Sequence, residues 1–230
     1  KGNDYKELIN FSVPTGNFGD VYAGYLAKKM GLPINKLIVA TNKNDILHRA
    51  ISNGNYEAKK VFQTLSPSMD IQIASNFERL IYDINDFSDT ETEKVMNEIK
   101  KTGKYIIPED KIEKIKKDFL SASLNEEEMK DIIHKLSFND GPIIVDPHTA
   151  IGIGAIIKIL KTNKKDSDVF IKETISLATA HPAKFPEATR AAYGEVELPK
   201  ELKYVMKEKE NFEIMDNNLE QVKDYILKNI

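Results

Sequence analysis

Between Phe11 and Ile51 the sequence passes twice through one cycle: an apolar stretch, a polar turn and a helical pattern. Phe11–Val13 ends at Pro14, and two glycines frame the turn Thr15-Gly16-Asn17-Phe18-Gly19-Asp20. Phe18, Val21, Tyr22, Tyr25, Leu26 and Met30 then recur at helical spacing, until Gly31 and Pro33 stop the helix. Leu37-Ile38-Val39-Ala40 is apolar without alternation, the pattern of a strand covered on both faces. The polar cluster Thr41–Asp45 follows, then a second helical piece through Ile51. Repetition of strand, turn and helix leaves few folds open. It predicts an α/β domain with helices packed on a parallel sheet and ligands taken beyond the carboxyl ends of the strands.

The first polar turn has the chemistry of an anion holder. Glycine lacks a Cβ, so the backbone can turn sharply and bring its N–H groups close to an anion. The first turn of the next helix adds unpaired N–H groups and the positive end of the helix dipole. Thr15 and Asn17 offer side-chain donors. Asp20 brings negative charge into that turn and is expected to cap the helix, pointing away from the anion. A Gly-x-x-Gly turn is also ordinary punctuation between strand and helix, and both readings stay open on the local chemistry. The turn is not a Walker loop, and Gly16, Gly19 and Gly24 lack the spacing of a dinucleotide fingerprint.

Bulk properties narrow the function. The 230 residues are 41% apolar and 30% charged, with a formal net charge of −3, so no overall field favours nucleic acid or an anionic membrane. There is no cysteine, which excludes disulfides and thiolate metal sites and is compatible with a cytoplasmic setting. No apolar run is long enough to span a bilayer. His48, His134, His148 and His181 do not have zinc-ligand spacing. His148 and His181 each stand beside a proline, open to a proton-shuttle role or to a structural hydrogen bond. Arginine occurs only as Arg49, Arg79 and Arg190, and its forked guanidinium suits anions better than lysine does.

Further along, helices are predicted over Asn76–Ile84, from a Ser88–Glu91 capping box to Gly103, from Pro108 toward Lys117, and after Asn125. Short extended pieces are expected at Tyr105–Ile107, Phe119–Ser123, Ile143–Val145 and within Val169–Ala178. Asp146-Pro147-His148 then precedes a small-residue helix, Thr149–Leu160, whose Gly152 and Gly154 imply close packing. Thr179–Lys184 forms a fourth polar turn. Several such turns converging on one sheet edge suggest a small-molecule site.

Five segments, in order, resemble the threonine synthase family: Val13–Asp20; Ala40–Asp45; Ser75-Asn76-Phe77-Glu78-Arg79; Asp146-Pro147-His148-Thr149-Ala150; and Thr179–Phe185. The resemblance covers nearly the whole chain from about Phe11 and is to the bacterial and fungal branch. It implies a parallel-sheet, pyridoxal-phosphate-dependent fold of type II, tryptophan-synthase-β-like, with only the C-terminal portion present. The implied domains are residues 1–185, the C-terminal part of the cofactor-binding α/β domain with a helical insertion at about 76–138, and 186–230, a helical extension.

The implied activity is conversion of O-phospho-L-homoserine and water to L-threonine and phosphate. In this family the cofactor is bound to a lysine and acts as an electron sink. Gly16, Asn17, Phe18 and Gly19 would hold the cofactor phosphate, and Thr179 would face the pyridine nitrogen. Asn76, Arg79, Asn44, Asp45 and His148 are candidates for the substrate side. No lysine here sits in the family's Schiff-base motif, Lys184 included, so no catalytic residue is assigned and the chain is expected to be inactive alone. The chain reads as a piece of something longer, whose partner is the missing N-terminal half or a second copy. The alternatives are a non-catalytic synthase-like phosphate- or cofactor-binding protein and, more weakly, a nucleotide-binding α/β domain.

Overall fold

The computed structural model describes residues 8–138, 142–162, 173–204 and 207–230. Contacts divide the chain into two compact units, Lys1–Val196 and Glu197–Ile230. Helix Pro186–Ala192 packs against the helix at Glu126–Ser137 and so belongs to the first unit, although the sequence reading puts it at the head of the C-terminal extension.

In the first unit, strands β1 (Ile9–Pro14), β2 (Ile34–Thr41), β5 (Phe119–Ser123) and β6 (Thr174–Ser176) form a parallel sheet in the order β5-β2-β1-β6. The two faces follow from alternation along β2. Leu37 and Val39 join one core with Phe18, Val21 and Tyr25 of the α1 region (Gly19–Lys29), with Leu47 and Ile51 of α2 (Ile46–Asn53), and with Phe77 and Ile81 of α3 (Phe77–Ile84). Ile38 and Ala40 join the other, with Met129 and Ile133 of α6 (Glu126–Ser137) and Ala150, Ile151 and Ala155 of α7 (Pro147–Thr162). Covering on both faces is why this strand reads as one apolar run.

Helices α4 (Asp89–Thr102) and α5 (Glu109–Asp118) bring Val95, Ile99, Ile112 and Ile115 into the first core. A two-stranded antiparallel ribbon, β3 (Asn55–Glu57) with β4 (Lys104–Ile106), lies beside them. Tyr56 stacks flat on Phe77 there at 5.1 Å. Helix α8 (Pro186–Ala192) closes the unit. The second unit holds a 3-10 turn at Lys200–Leu202 and helix α9 (Leu219–Lys228), capped by Asn218, whose Oδ1 accepts from Gln221 N.

Three local expectations change. Ile143–Val145 is not a strand: Ile143 N donates to Leu136 O (3.0 Å), its side chain is exposed, and the places beside β1 and β2 are taken by β6 and β5. At Ser88 half a capping box forms, since Ser88 Oγ accepts from Glu91 N while the Glu91 carboxylate binds Lys94 (2.7 Å). The full box is at Asn125, which exchanges both bonds with Glu128. Asp20 does not cap α1; that position belongs to Phe18, without a side-chain bond. The expected strand within 169–178 lies outside the described residues up to 172, and 174–176 form β6.

Candidate functional site

At the end of β1, Thr15 N donates to Ala40 O (2.8 Å), and the next paired amide is Tyr22 N on Phe18 O (3.1 Å). Between them the N–H groups of Gly16, Asn17, Phe18, Gly19, Asp20 and Val21 have no protein acceptor among the described residues. Six successive free donors at the start of a helix make a concentrated positive potential. Phe18 turns the chain at φ 68°, a left-handed conformation unusual for a bulky residue. Its ring is buried and meets Phe77 edge-on at 5.1 Å. Burying a Phe stabilises by about 1.5–3 kcal/mol, enough to offset a strain of about 1–3 kcal/mol at such a backbone angle. The phenyl group is therefore the anchor, and only the backbone of Phe18 is available to a ligand.

Gly16 is fixed by close approach. A Cβ there would lie 2.6 Å from Ser68 O and 3.3 Å from Met69 Cα. At Gly19 a Cβ would meet only the Asn76 side chain, at 3.1 Å. Thr15 offers no donor: its Oγ1 bonds Val13 O (2.6 Å). Asn17 Oδ1 accepts from Ser75 N (2.5 Å) and Ser75 Oγ (3.0 Å), which ties the turn to the segment before α3.

That segment leads into a cleft of about 760 Å³ lined by Tyr22, Ser75, Asn76, Arg79, Tyr82 and Met96, among others. Asn76 joins cleft and turn. Arg79 is exposed, its guanidinium 5.9 Å from the Tyr22 ring centre, with no carboxylate partner among the described residues. The other two arginines are engaged: Arg49 with Asp45 and Glu57 O, Arg190 with Glu195.

Asn44 and Asp45 sit after β2 on the same edge, but protein groups occupy them. Asn44 Nδ2 donates to Phe62 O (2.9 Å) and Asp70 Oδ1 (3.0 Å), and Asn44 Oδ1 accepts from Phe62 N (2.9 Å). Asp45 Oδ1 holds Arg49 Nε at 2.8 Å. Asn44 and Asn42 together pin the loop 59–72 that backs Gly16, whereas Asp45 is engaged by Arg49.

The last two motifs converge. β6 lies beside β1 with Ser12 opposite Ser176, so Thr15 and Thr179 leave the sheet at the same edge. Helix α7 starts there, with Gly152 against Pro14 and Ser176. Buried Asp146 caps it, Oδ1 accepting from His148 N (2.9 Å) and Thr149 N (3.4 Å). The same carboxylate takes His148 Nδ1 (2.9 Å) and the Thr149 hydroxyl. Burial pushes the Asp146 carboxyl up, but hydrogen bonds from His148 and Thr149 outweigh it and leave the group below its ordinary value. An ionised acceptor is met by a proton on Nδ1. The other ring nitrogen, Nε2, is buried and has no hydrogen-bond partner among the described residues. The imidazole faces Phe185 at 4.6 Å. Thr149 Oγ1 in turn accepts from Thr179 N (3.3 Å), while the exposed Thr179 hydroxyl has no hydrogen bond among the described residues. His181 is exposed and its Nδ1 accepts from Ala183 N (3.2 Å), a capping role. Lys184 is exposed in the same short turn.

The sequence places Ser75, Asp146 and Thr149 within its motifs but gives none of them an individual role. Asp146 had a legible signal, an acid directly before a proline at the first helical position.

The fold, with its anion-ready turn at a parallel sheet's carboxyl edge, is that of the tryptophan-synthase-β-like type II class, C-terminal portion. Within that class the chain matches the C-terminal portion of threonine synthase. The family described as "Threonine synthase, C-terminal" matches residues 149–226. Threonine synthase of Saccharomyces cerevisiae is 42% identical over 247 residues, covering 98% of this chain and 47% of the relative. That of Pseudomonas aeruginosa is 38% identical over 220 residues, covering 95% and 45%. A solved structure described as PLP-bound threonine synthase from Brucella melitensis superposes with a TM-score of 0.83 at 41% identity, over 97% of this chain and 47% of that one. The chain thus spans about half the length of the curated relatives it matches. Among the described residues no helix is long and apolar enough to cross a membrane, and no cluster of metal-ligating side chains occurs.

Proposed function

We propose that this chain supplies the phosphate cradle and the ring-facing edge of a pyridoxal-phosphate site, in a protein that converts O-phospho-L-homoserine and water to L-threonine and phosphate. The observation that carries the reading is the run of six unpaired amides from Gly16 to Val21. A dianionic ester fits that row of donors and the helix N-terminus behind it. Gly16, Asn17, Phe18 and Gly19 hold the phosphate through their backbone. Thr179, on the same edge, offers a neutral hydroxyl to the ring nitrogen. When bound, the cofactor supplies an electron sink for carbanion chemistry. Arg79 and Asn76, in the adjoining cleft, serve the substrate side, and the exposed Arg79 guanidinium, without a carboxylate partner among the described residues, suits a second phosphate. Asn44 acts through the loop it holds, Asp45 through Arg49, and His148 through its position beside Phe185.

None of the lysines in these 230 residues stands in the motif of the cofactor-anchoring lysine. The chain alone is therefore a binding half that does not turn over. That same fact favours, as a second reading, a non-catalytic synthase-like protein that binds phosphate or cofactor. The helical insertion at 76–138 belongs to this proposal, as does a cytoplasmic location.

The test is direct. The chain is titrated with inorganic phosphate and with pyridoxal phosphate, and phosphate release from O-phosphohomoserine is followed against a protein-free control. Binding of both ligands with no release is expected. Absence of phosphate binding removes the cradle, and release above the control removes the inactivity.

A further inference from the structure

Beyond capping α7, Asp146 forms with Thr149 a buried relay that ends on Thr179. The carboxylate of Asp146 is 1% exposed and receives four hydrogen bonds, two from backbone amides and two from the side chains of His148 and Thr149. The Thr149 hydroxyl has one proton, and it goes to Asp146. Its lone pairs are then turned outward, and one receives Thr179 N at 3.3 Å. Thr179 lies beyond the last residue of β6, where no ladder bond holds it. Among the described residues this single bond to its amide is what fixes the backbone there. Thr149 itself sits in the first turn of the sixteen-residue α7, whose start Asp146 caps.

We propose that Asp146 and Thr149 are positioning residues: through the Thr149 hydroxyl they place Thr179 so that its own hydroxyl meets the cofactor ring. The inference rests on the pyridoxal-phosphate reading. It deepens that reading by separating two halves of the site, the amides that take the phosphate and the relay that serves only the ring. His148 is held by the same carboxylate through Nδ1, so the relay also fixes the imidazole beside Phe185.

The experiment uses two ligands and three variants of this chain, each checked for a parent-like thermal transition. Inorganic phosphate reads the cradle alone; pyridoxal phosphate reads cradle and ring together. Thr149→Val keeps the shape and removes the hydroxyl, Thr149→Ser keeps the hydroxyl, and Asp146→Asn removes an acceptor from the relay. For Thr149→Val and Asp146→Asn, pyridoxal phosphate affinity falls about fivefold to tenfold, the scale of one lost hydrogen bond, while phosphate affinity stays within about twofold. Thr149→Ser restores pyridoxal phosphate affinity to nearly that of the parent. Equal loss of both ligands in Thr149→Val marks a merely structural role and overturns the proposal, as does unchanged binding of pyridoxal phosphate or failure of the serine rescue. If the parent chain binds no phosphate, the cradle itself fails, and that arm is read before any variant.

Discussion

Gly16→Ala is the sharpest probe of how the cradle is built. The added methyl would stand 2.6 Å from Ser68 O and 3.3 Å from Met69 Cα, both backbone atoms. Ordinary contact begins near 3.4 Å, so about 0.8 Å must be found by moving main chain on one side or the other. The Ser68 side gives little. Pro67–Met69 is a 3-10 turn closed by Met69 N on Ser66 O, and Ser66 Oγ is tied to Asn42 Nδ2 at 3.0 Å. Overpacking of this kind costs about 1–3 kcal/mol, or about 2–12 °C in Tm for a chain of this size. The strain then falls on the turn, and the free amides of Gly16 and Asn17 swing out of line.

A tenfold loss of phosphate affinity would show as follows. At phosphate one hundred times the parent's Kd, ligand stabilisation of about 2.7 kcal/mol drops to about 1.4 kcal/mol in the variant. Gly19→Ala is the control, because its methyl meets only the Asn76 amide at 3.1 Å and a side chain can yield. Its backbone is not left-handed and stands at the first position of α1, where alanine is well tolerated. Thermal melts with and without phosphate decide the matter. If Gly16→Ala melts with the parent and keeps the full phosphate shift, or if Gly19→Ala suffers as much as Gly16→Ala, the packing argument is wrong.

Three further outcomes follow from the same geometry. Asp70→Ala removes the acceptor of Asn42 Nδ2, Asn44 Nδ2, Thr64 N and Thr64 Oγ1; a loss of about 2–4 kcal/mol is expected, with faster proteolysis at 59–72, read by urea melts and limited digestion. Phe18→Ala should cost about 3–5 kcal/mol, since the ring fills the core against Phe77 and Phe119; chemical denaturation measures it. Acid weakens the fold in two stages. Burial lowers the pKa of His48, so as pH falls below 6.5 the unfolded chain takes up the proton first and stability declines. The Asp146 carboxyl is lowered below 3.8, so its contribution is complete above the ordinary carboxylate range and is lost as pH falls beneath it. Urea midpoints from pH 7 to pH 3 should fall in both windows, and Asp146→Asn should flatten the lower one.

How much of this was legible in the sequence depends on whether a feature is periodic or made by contact. β2 announced itself because both its faces are buried, and α3 because Phe77, Leu80, Ile81 and Ile84 all turn inward. β3 and β4 are three residues each and owe their pairing to each other, so Asn55–Glu57 gave no signal at all. Ile143–Val145 has strand composition, but the places beside the two central strands are filled by β5 and β6 and Ile143 N is spent on Leu136 O, and composition cannot register that. Asn44 and Asp45 were polar residues at the right edge, yet Arg49 holds Asp45 at the i,i+4 spacing of a helix, and Asp70, a partner the linear sequence does not reveal, holds Asn44.

The cradle divides along the same line. Its place could be read from the glycines, but the reason Phe18 tolerates φ 68° could not, because the compensation comes from Phe77, far along the chain. The distribution of donors between side chain and backbone was likewise set by contact: Thr15 is spent on Val13 O and Asn17 Oδ1 on Ser75. What remains for an anion is main chain. That has a consequence for substitution. Side-chain changes at Asn17 or Thr15 act on the turn's shape, whereas changes that push the backbone, as at Gly16, act on the ligand's donors themselves. An anion site made of amides is therefore protected by the packing behind it, and its determinants are Ser68, Ser75 and Phe77, residues that need not touch the anion.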